Sequence, residues 1–133
     1  MHNIKIGARR EEPLLVTKDV SIDFLGLEDA RVLSTPQMIR HMEWTCRNLV
    51  FPLLEQGYDT LGTHVDVYHR AAAPIGSVVL FTSEIVSVNE RRVEFRVTAK
   101  AEDELIGEGI HERGIINIAK FAARLAEKIQ KQK

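Results

Sequence analysis

The 133-residue sequence predicts an α+β fold in which one antiparallel sheet packs against one long helix. Apolar residues recur at helical spacing from Pro36 to about Gln56, and the segments that follow alternate with a period of two. A helix with one apolar stripe and a sheet with one apolar face each need a surface to cover them. The two elements are therefore expected to form the two layers of a single domain over residues 1–133.

Composition favours a soluble domain and excludes several classes of partner. Apolar residues make up 44% and charged residues 28%, and the formal net charge is −1, so neither nucleic acid nor a membrane is an expected partner. Residues 1–12 lack the apolar core of a signal peptide and are expected to be loosely ordered. The single cysteine, Cys46, permits no intrachain disulfide, which is typical of the cytoplasm, and its place on the apolar stripe indicates a core thiol.

The first elements follow from turn and capping residues. A strand is predicted from Leu14 to Ile22, and a loop follows from Phe24 to Arg31. Thr35 is predicted to cap the long helix, and Pro36 fits its first turn, where a missing N–H costs nothing. Pro52 is expected to kink or end the regular part of this helix before the chain turns back.

Four further strands complete a five-stranded sheet. They are predicted at residues 61–71, 77–88, 93–101 and 105–117, and three glycines in the last one (Gly107, Gly109 and Gly114) indicate bulges or close backbone approach. A short amphipathic helix ends the chain. A sheet wrapped around a long central helix is the hot-dog arrangement. Because such a sheet leaves an edge unpaired, a homodimer or a dimer of dimers is expected.

Two ionisable residues interrupt the predicted apolar faces. Glu43 lies against the apolar stripe of the long helix, and His69 is predicted to share a strand face with valines. A carboxylate there is costly unless it is paired or has a function, and a lone histidine is more often a hydrogen-bonded core residue. Taken alone, Glu43 is explained by a side chain that extends to solvent or pairs with an arginine, His69 by a hydrogen-bonded core histidine, and Thr35 by a plain helix cap. Together, on layers that face each other, the three indicate a site.

Three segments resemble motifs of the fluoroacetyl-CoA thioesterase-like group of hot-dog thioesterases. VLSTPQMIRHMEWTC, residues 32–46, resembles the helix of this family, with its Thr and Glu eight positions apart. LGTHVDVYHRAAAPIG, residues 61–76, resembles the strand that carries a glycine and the catalytic histidine. GEGIHERGIINIAKF, residues 107–121, resembles the last strand with its HER triplet. The resemblance implies an acyl-CoA thioester hydrolase.

The resemblance also implies which residues form the site. Thr35, Glu43 and His69 would be catalytic, Gly62 would offer a backbone N–H to the substrate carbonyl, and Arg113 would lie near the substrate. Glu43 either attacks the thioester or activates water, and His69 either protonates the leaving thiolate or acts as a base. No metal or other cofactor is required. An ordinary ion-paired arginine and a glycine at the start of a strand explain Arg113 and Gly62 equally well.

One segment departs from the family. An aromatic gate is expected shortly before Thr35, where this chain has GLEDARV, and Phe24 is the nearest candidate. Discrimination in favour of a fluorinated acyl group is therefore not expected, although hydrolysis of a short or small acyl-CoA is. Two alternatives remain open, namely a hot-dog acyl-CoA hydratase and a non-catalytic protein that binds acyl-CoA or an acyl carrier.

Overall fold

The computed structural model describes residues 2–133 and contains one antiparallel sheet wrapped around one long helix. The elements in chain order are β1 (Arg9–Leu15), α1 (Thr35–Val50), β2 (Tyr58–His69), β3 (Val78–Asn89), β4 (Arg92–Ala101), β5 (Glu104–Asn117) and α2 (Ile118–Lys131). The strand order is β1-β3-β4-β5-β2, which makes β1 and β2 the edges of the sheet. The predicted fold class, with its five strands, long helix and short C-terminal helix, is confirmed.

Helix α1 uses a different cap from the one predicted. Ser34 is the N-cap, and its hydroxyl accepts a hydrogen bond from the backbone N–H of Gln37 at 3.3 Å. Thr35 is instead the first residue of the helix, so its side chain is available for another contact. The regular helix ends at Val50, because Pro52 cannot continue it and lies in a 3-10 turn.

The N-terminal segment differs most from the prediction. The strand expected at Leu14–Ile22 lies earlier, at Arg9–Leu15, where it pairs with β3. The expectation that residues 1–12 are loosely ordered is wrong for the described part, because β1 includes Arg9 to Glu12 and the Asn3 N–H donates to the Leu53 carbonyl at 2.8 Å. Residue 1 lies outside the described residues.

The core lies between α1 and the concave face of the sheet. One stripe of α1 is fully covered by inward-facing residues of the strands, among them Phe81 and Phe95. Cys46 lies in this stripe, and burial raises the pKa of its thiol, which confirms the predicted core thiol. Gly107 allows the close packing, because a Cβ there would lie 2.5 Å from the sulfur of Met38.

A bulge in β2 decides which of its side chains face the helix. The pairing of β2 with β5 shifts between Gly62 and His64. Simple alternation predicts Leu61 on the inner face with His69, and this is wrong: Leu61 is 42% exposed, whereas Thr60 is only 3% exposed. The bulge restores His69 to the inner face and also leaves Gly62 there.

Within residues 2–133, no helix combines the length and the apolar character needed to cross a membrane.

Candidate active site

Thr35 and His69 form one half of the candidate site. Thr35 is in the first turn of α1 and His69 is the last residue of β2, and the Thr35 hydroxyl lies 2.7 Å from Nδ1 of His69. Burial lowers the pKa of His69, so its imidazole is neutral near pH 7. The other ring nitrogen, Nε2, is buried and has no hydrogen-bond partner among the described residues. It is therefore free to exchange a proton with a bound molecule.

A cavity of about 410 Å³ opens beside this pair. Phe24 lines it together with Thr35 and His69, although Phe24 itself is 77% exposed. An aromatic ring therefore lies at the rim of the cavity, but it does not close the opening.

Glu43, Gly62 and Arg113 form the other half. The Glu43 carboxylate lies 4.0 Å from Nη1 of Arg113, and the Glu43 side chain is 40% exposed. Gly62 is opposite, on β2, and a Cβ there would lie only 3.1 Å from the same carboxylate oxygen. The glycine therefore allows the carboxylate to approach the strand backbone, which is a more specific reason than freedom at the start of a strand.

Arg113 is a buried, fixed cation rather than a solvated one. Its Nε donates to the Thr60 hydroxyl at 2.7 Å, and Nη2 donates to the Thr60 carbonyl at 2.9 Å. Nη1 contacts Nε2 of His111 at 3.1 Å and also faces Glu43. Three hydrogen bonds thus hold the guanidinium in one orientation.

His111 is the part of this network that the sequence reasoning missed as a site residue. Its Nδ1 lies 2.8 Å from the His64 carbonyl, which can only accept, so Nδ1 carries the proton and Nε2 accepts from Arg113. Burial lowers the pKa of His111, and the charge of Arg113 lowers it further, so the ring stays neutral. The HER triplet was the one sequence feature that could have indicated this role, because His111 and Arg113 are two apart on a strand and therefore share a face.

The two halves lie apart within one chain. Eight residues of α-helix separate Thr35 from Glu43, which corresponds to about 12 Å along the helix axis. Glu43 and Arg113 line a second cavity, of about 560 Å³, in which neither Thr35 nor His69 takes part. The structure therefore brings Thr35 to His69 and brings Glu43 to Gly62 and Arg113, but it does not bring all five together in one chain.

The chemistry of these groups suits acyl transfer. A carboxylate beside a buried cation can attack a carbonyl or activate water, and a neutral imidazole with a free nitrogen can exchange a proton. Within residues 2–133, no group of three or more His, Cys, Asp or Glu side chains is arranged to hold a metal ion.

Comparison with known structures defines the class of fold. The chain aligns with a hot-dog-like protein from Thermanaerovibrio acidaminovorans with a TM-score of 0.85 and 20% identity, covering 92% of this chain and 91% of that one. It also aligns with a hypothetical protein of Thermus thermophilus, described as a thioesterase superfamily member, with a TM-score of 0.87, 30% identity and coverage of 99% and 97%. The chain is a hot-dog protein.

More specific similarities define the family. The family model for the fluoroacetyl-CoA-specific thioesterase, FlK, matches residues 16–119, a range that includes all five predicted site residues. The fluoroacetyl-CoA thioesterase of Streptantibioticus cattleyicolor is 42% identical over 101 residues, which are 76% of this chain and 73% of that protein. A solved structure of FlK aligns with a TM-score of 0.83 and 35% identity over 94% of this chain and 97% of that one. The chain belongs to the fluoroacetyl-CoA-specific thioesterase family.

Proposed function

We propose that Thr35, Glu43 and His69 hydrolyse the thioester of a short or small acyl group with coenzyme A, and that Gly62 and Arg113 bind the substrate. The chain is an acyl-CoA thioesterase by its family, and the products are the free acid and CoA. One observation carries the assignment of residues: the buried Nε2 of His69 has no partner among the described residues. A buried polar atom without a partner is costly, and a substrate would supply one.

The proposed chemistry begins at Glu43. Its carboxylate either adds to the thioester carbonyl, which gives a mixed anhydride that water then hydrolyses, or removes a proton from water that attacks directly. In both routes the C–S bond breaks and its electron pair leaves on the CoA sulfur. Because the imidazole of His69 is neutral, it first accepts a proton at Nε2 from the water that is consumed and then passes that proton to the CoA thiolate. Thr35 holds the imidazole through Nδ1. The backbone N–H of Gly62 stabilises the oxyanion that forms.

A homodimer would unite the two halves of the site. β2 is an edge strand, and its exposed side chains include Leu61 at 42% and Tyr68 at 58%. Antiparallel pairing of two copies of β2 about a two-fold axis places the end of one strand beside the beginning of the other. His69 of one chain then approaches Gly62 and Glu43 of its partner. We therefore include a homodimer, or a dimer of dimers, in the proposal.

Selectivity for fluorinated substrates is expected to be weak. Residues 26–32 carry no phenylalanine, and the ring of Phe24 is exposed at the cavity rim rather than packed across it. Acetyl-CoA and fluoroacetyl-CoA should then be hydrolysed with similar kcat/KM. A preference of several powers of ten for fluoroacetyl-CoA, lost in Phe24→Ala, would mean that Phe24 closes the cavity.

A cytoplasmic location also belongs to the proposal, supported by the one buried cysteine.

A panel of acyl-CoA thioesters with detection of the released thiol tests the function. The wild-type chain should cleave small acyl-CoA esters, and Glu43→Gln and His69→Ala should each reduce kcat by a factor of about 10² or more. Lys100→Ala, an exposed change on β4, serves as the matched control and should leave kcat unchanged. Binding of acyl-CoA without cleavage of any ester would support the non-catalytic alternative, and light scattering that shows a stable monomer would contradict the dimer.

A further inference from the structure

A third cavity, of about 260 Å³, lies at the end of the sheet away from His69. Its walls come from the beginning of β2, the end of β5, the turn between β3 and β4 and the first turns of α2. Three cationic side chains line it: Arg91 from the turn, and Lys120 and Arg124 from α2. Lys120 and Arg124 are four residues apart and therefore share one face of the helix.

Among the described residues, these three cations have no carboxylate partner. None of the ion pairs among the described residues includes Arg91, Lys120 or Arg124. The one carboxylate that lines the cavity is Glu90, so three positive charges and one negative charge leave a net charge of +2 from these four side chains. The whole chain carries −1, so this positive charge is local. Like charges that converge without a counterion repel each other, and an anion in the cavity would remove that repulsion.

The cavity is next to the Glu43 half of the site. Asp59 lines the cavity of Glu43, while its chain neighbour Tyr58 and its cross-strand partner Ile116 line the cationic cavity. The Asp59 carboxylate does not repel an anion there, because Arg47 binds both of its oxygens at 3.1 and 2.7 Å. Four residues of strand separate Gly62 from Tyr58, or about 13 Å. An extended pantetheine arm is longer than this.

We propose that Arg91, Lys120 and Arg124 bind the phosphoryl groups at the nucleotide end of coenzyme A. This inference rests on the proposed function and adds an anchor for the part of the substrate farthest from the thioester. Arginine binds phosphate oxygens in pairs and lysine supplies a point charge, so the set matches phosphate monoesters and diphosphates. The volume of the cavity is enough for phosphoryl groups but not for a whole nucleotide. The adenine would therefore remain at the surface.

Binding of adenosine 3′,5′-bisphosphate, which has no acyl group, tests the inference without hydrolysis. Titration calorimetry should show binding to the wild-type chain, and Arg91→Ala, Lys120→Ala and Arg124→Ala should each weaken it by about threefold to tenfold. Glu90→Gln should strengthen it. Lys128→Ala is the matched control, because Lys128 is an exposed lysine of α2, one turn beyond Arg124 and outside the cavity lining, and it should change nothing.

Kinetics with two substrates separate this inference from the proposed function. The three alanine variants should raise KM for an acyl-CoA about threefold to tenfold and leave kcat unchanged. The same variants should behave like the wild type with the matching acyl-pantetheine, which lacks the phosphates. If inorganic phosphate competes with the acyl-CoA as tightly as the bisphosphate does, the cavity binds free phosphate and the assignment to CoA is overturned.

The two proposals fail in different ways. A chain that binds the bisphosphate through these residues but cleaves no thioester would overturn the proposed function and support the phosphate site. A chain that cleaves thioesters while the three variants bind the bisphosphate like the wild type would overturn the phosphate site. Circular-dichroism melts establish that each variant is folded, which is expected because all three side chains are exposed.

Discussion

Replacing Glu43 by alanine should separate catalysis from stability. The carboxylate is 40% exposed and lies 4.0 Å from Arg113, so the pair is only partly shielded from water and contributes about 0–1 kcal/mol to the free energy of unfolding. The guanidinium of Arg113 keeps its bonds to Thr60 and His111 in the variant, so no buried charge loses its last partner. The melting temperature should therefore fall by no more than about 4 °C.

Activity should respond very differently. If the Glu43 carboxylate attacks the thioester or activates water, Glu43→Ala should lower kcat by a factor of about 10² or more. If His69 acts in the same reaction, His69→Ala should lower kcat similarly, and the double variant should lose little beyond the worse single variant. Thermal melts and thioester kinetics on the three proteins measure both quantities. A Glu43→Ala chain that unfolds early yet retains near-normal kcat per folded molecule would refute the catalytic assignment and make Glu43 a structural partner of Arg113.

Three further expectations follow from the contacts. Arg113→Ala removes a buried guanidinium and leaves the groups that accept its hydrogen bonds unpaired. Calorimetric melts should therefore show a free energy of unfolding lower by about 3 kcal/mol, and Arg113→Lys should restore part of it. Ser34→Ala should cost about 1 kcal/mol with unchanged kcat because Ser34 is the helix cap, whereas Thr35→Ala should lower kcat and leave the melting temperature nearly unchanged. The pKa values of His69 and His111 are lowered by burial from the ordinary value of 6.5, so the unfolded chain takes up more protons below about pH 6.5. Stability should therefore be fully present above pH 6.5 and fall as the pH drops below it, and a flat stability profile between pH 5 and 7 would contradict the two shifts.

The long helix and the last four strands could be predicted because their periodicity is complete within each segment. Apolar residues at helical spacing and then at alternate positions specify which side of each element is buried, and that is enough to assign the layers. Pro52 also specified the end of the regular helix, because the ring acts locally and needs no distant partner.

The first strand and the bulge could not be predicted in the same way. Arg9 to Glu12 are four consecutive charged residues, typical of a surface segment, yet their backbone pairs with β3 at the edge of the sheet. An edge strand needs a partner for its backbone and little apolar pattern, so the sequence carries a weak signal for it. The bulge after Gly62 depends on the register against β5, which is set across the sheet rather than along the strand.

The grouping of the site residues into two halves is the feature that the sequence predicts least well. Thr35 and Glu43 are eight positions apart on one helix, which places them on similar faces but about 12 Å apart. One half of the site holds a buried imidazole nitrogen without a partner among the described residues, and no carboxylate lines the cavity beside it; the other half holds a carboxylate and a fixed cation. Each half lacks the group that the other supplies. The edge of β2 runs from Gly62 in the second half to His69 in the first, so the proposed pairing of that edge with a second copy would bring the two halves together.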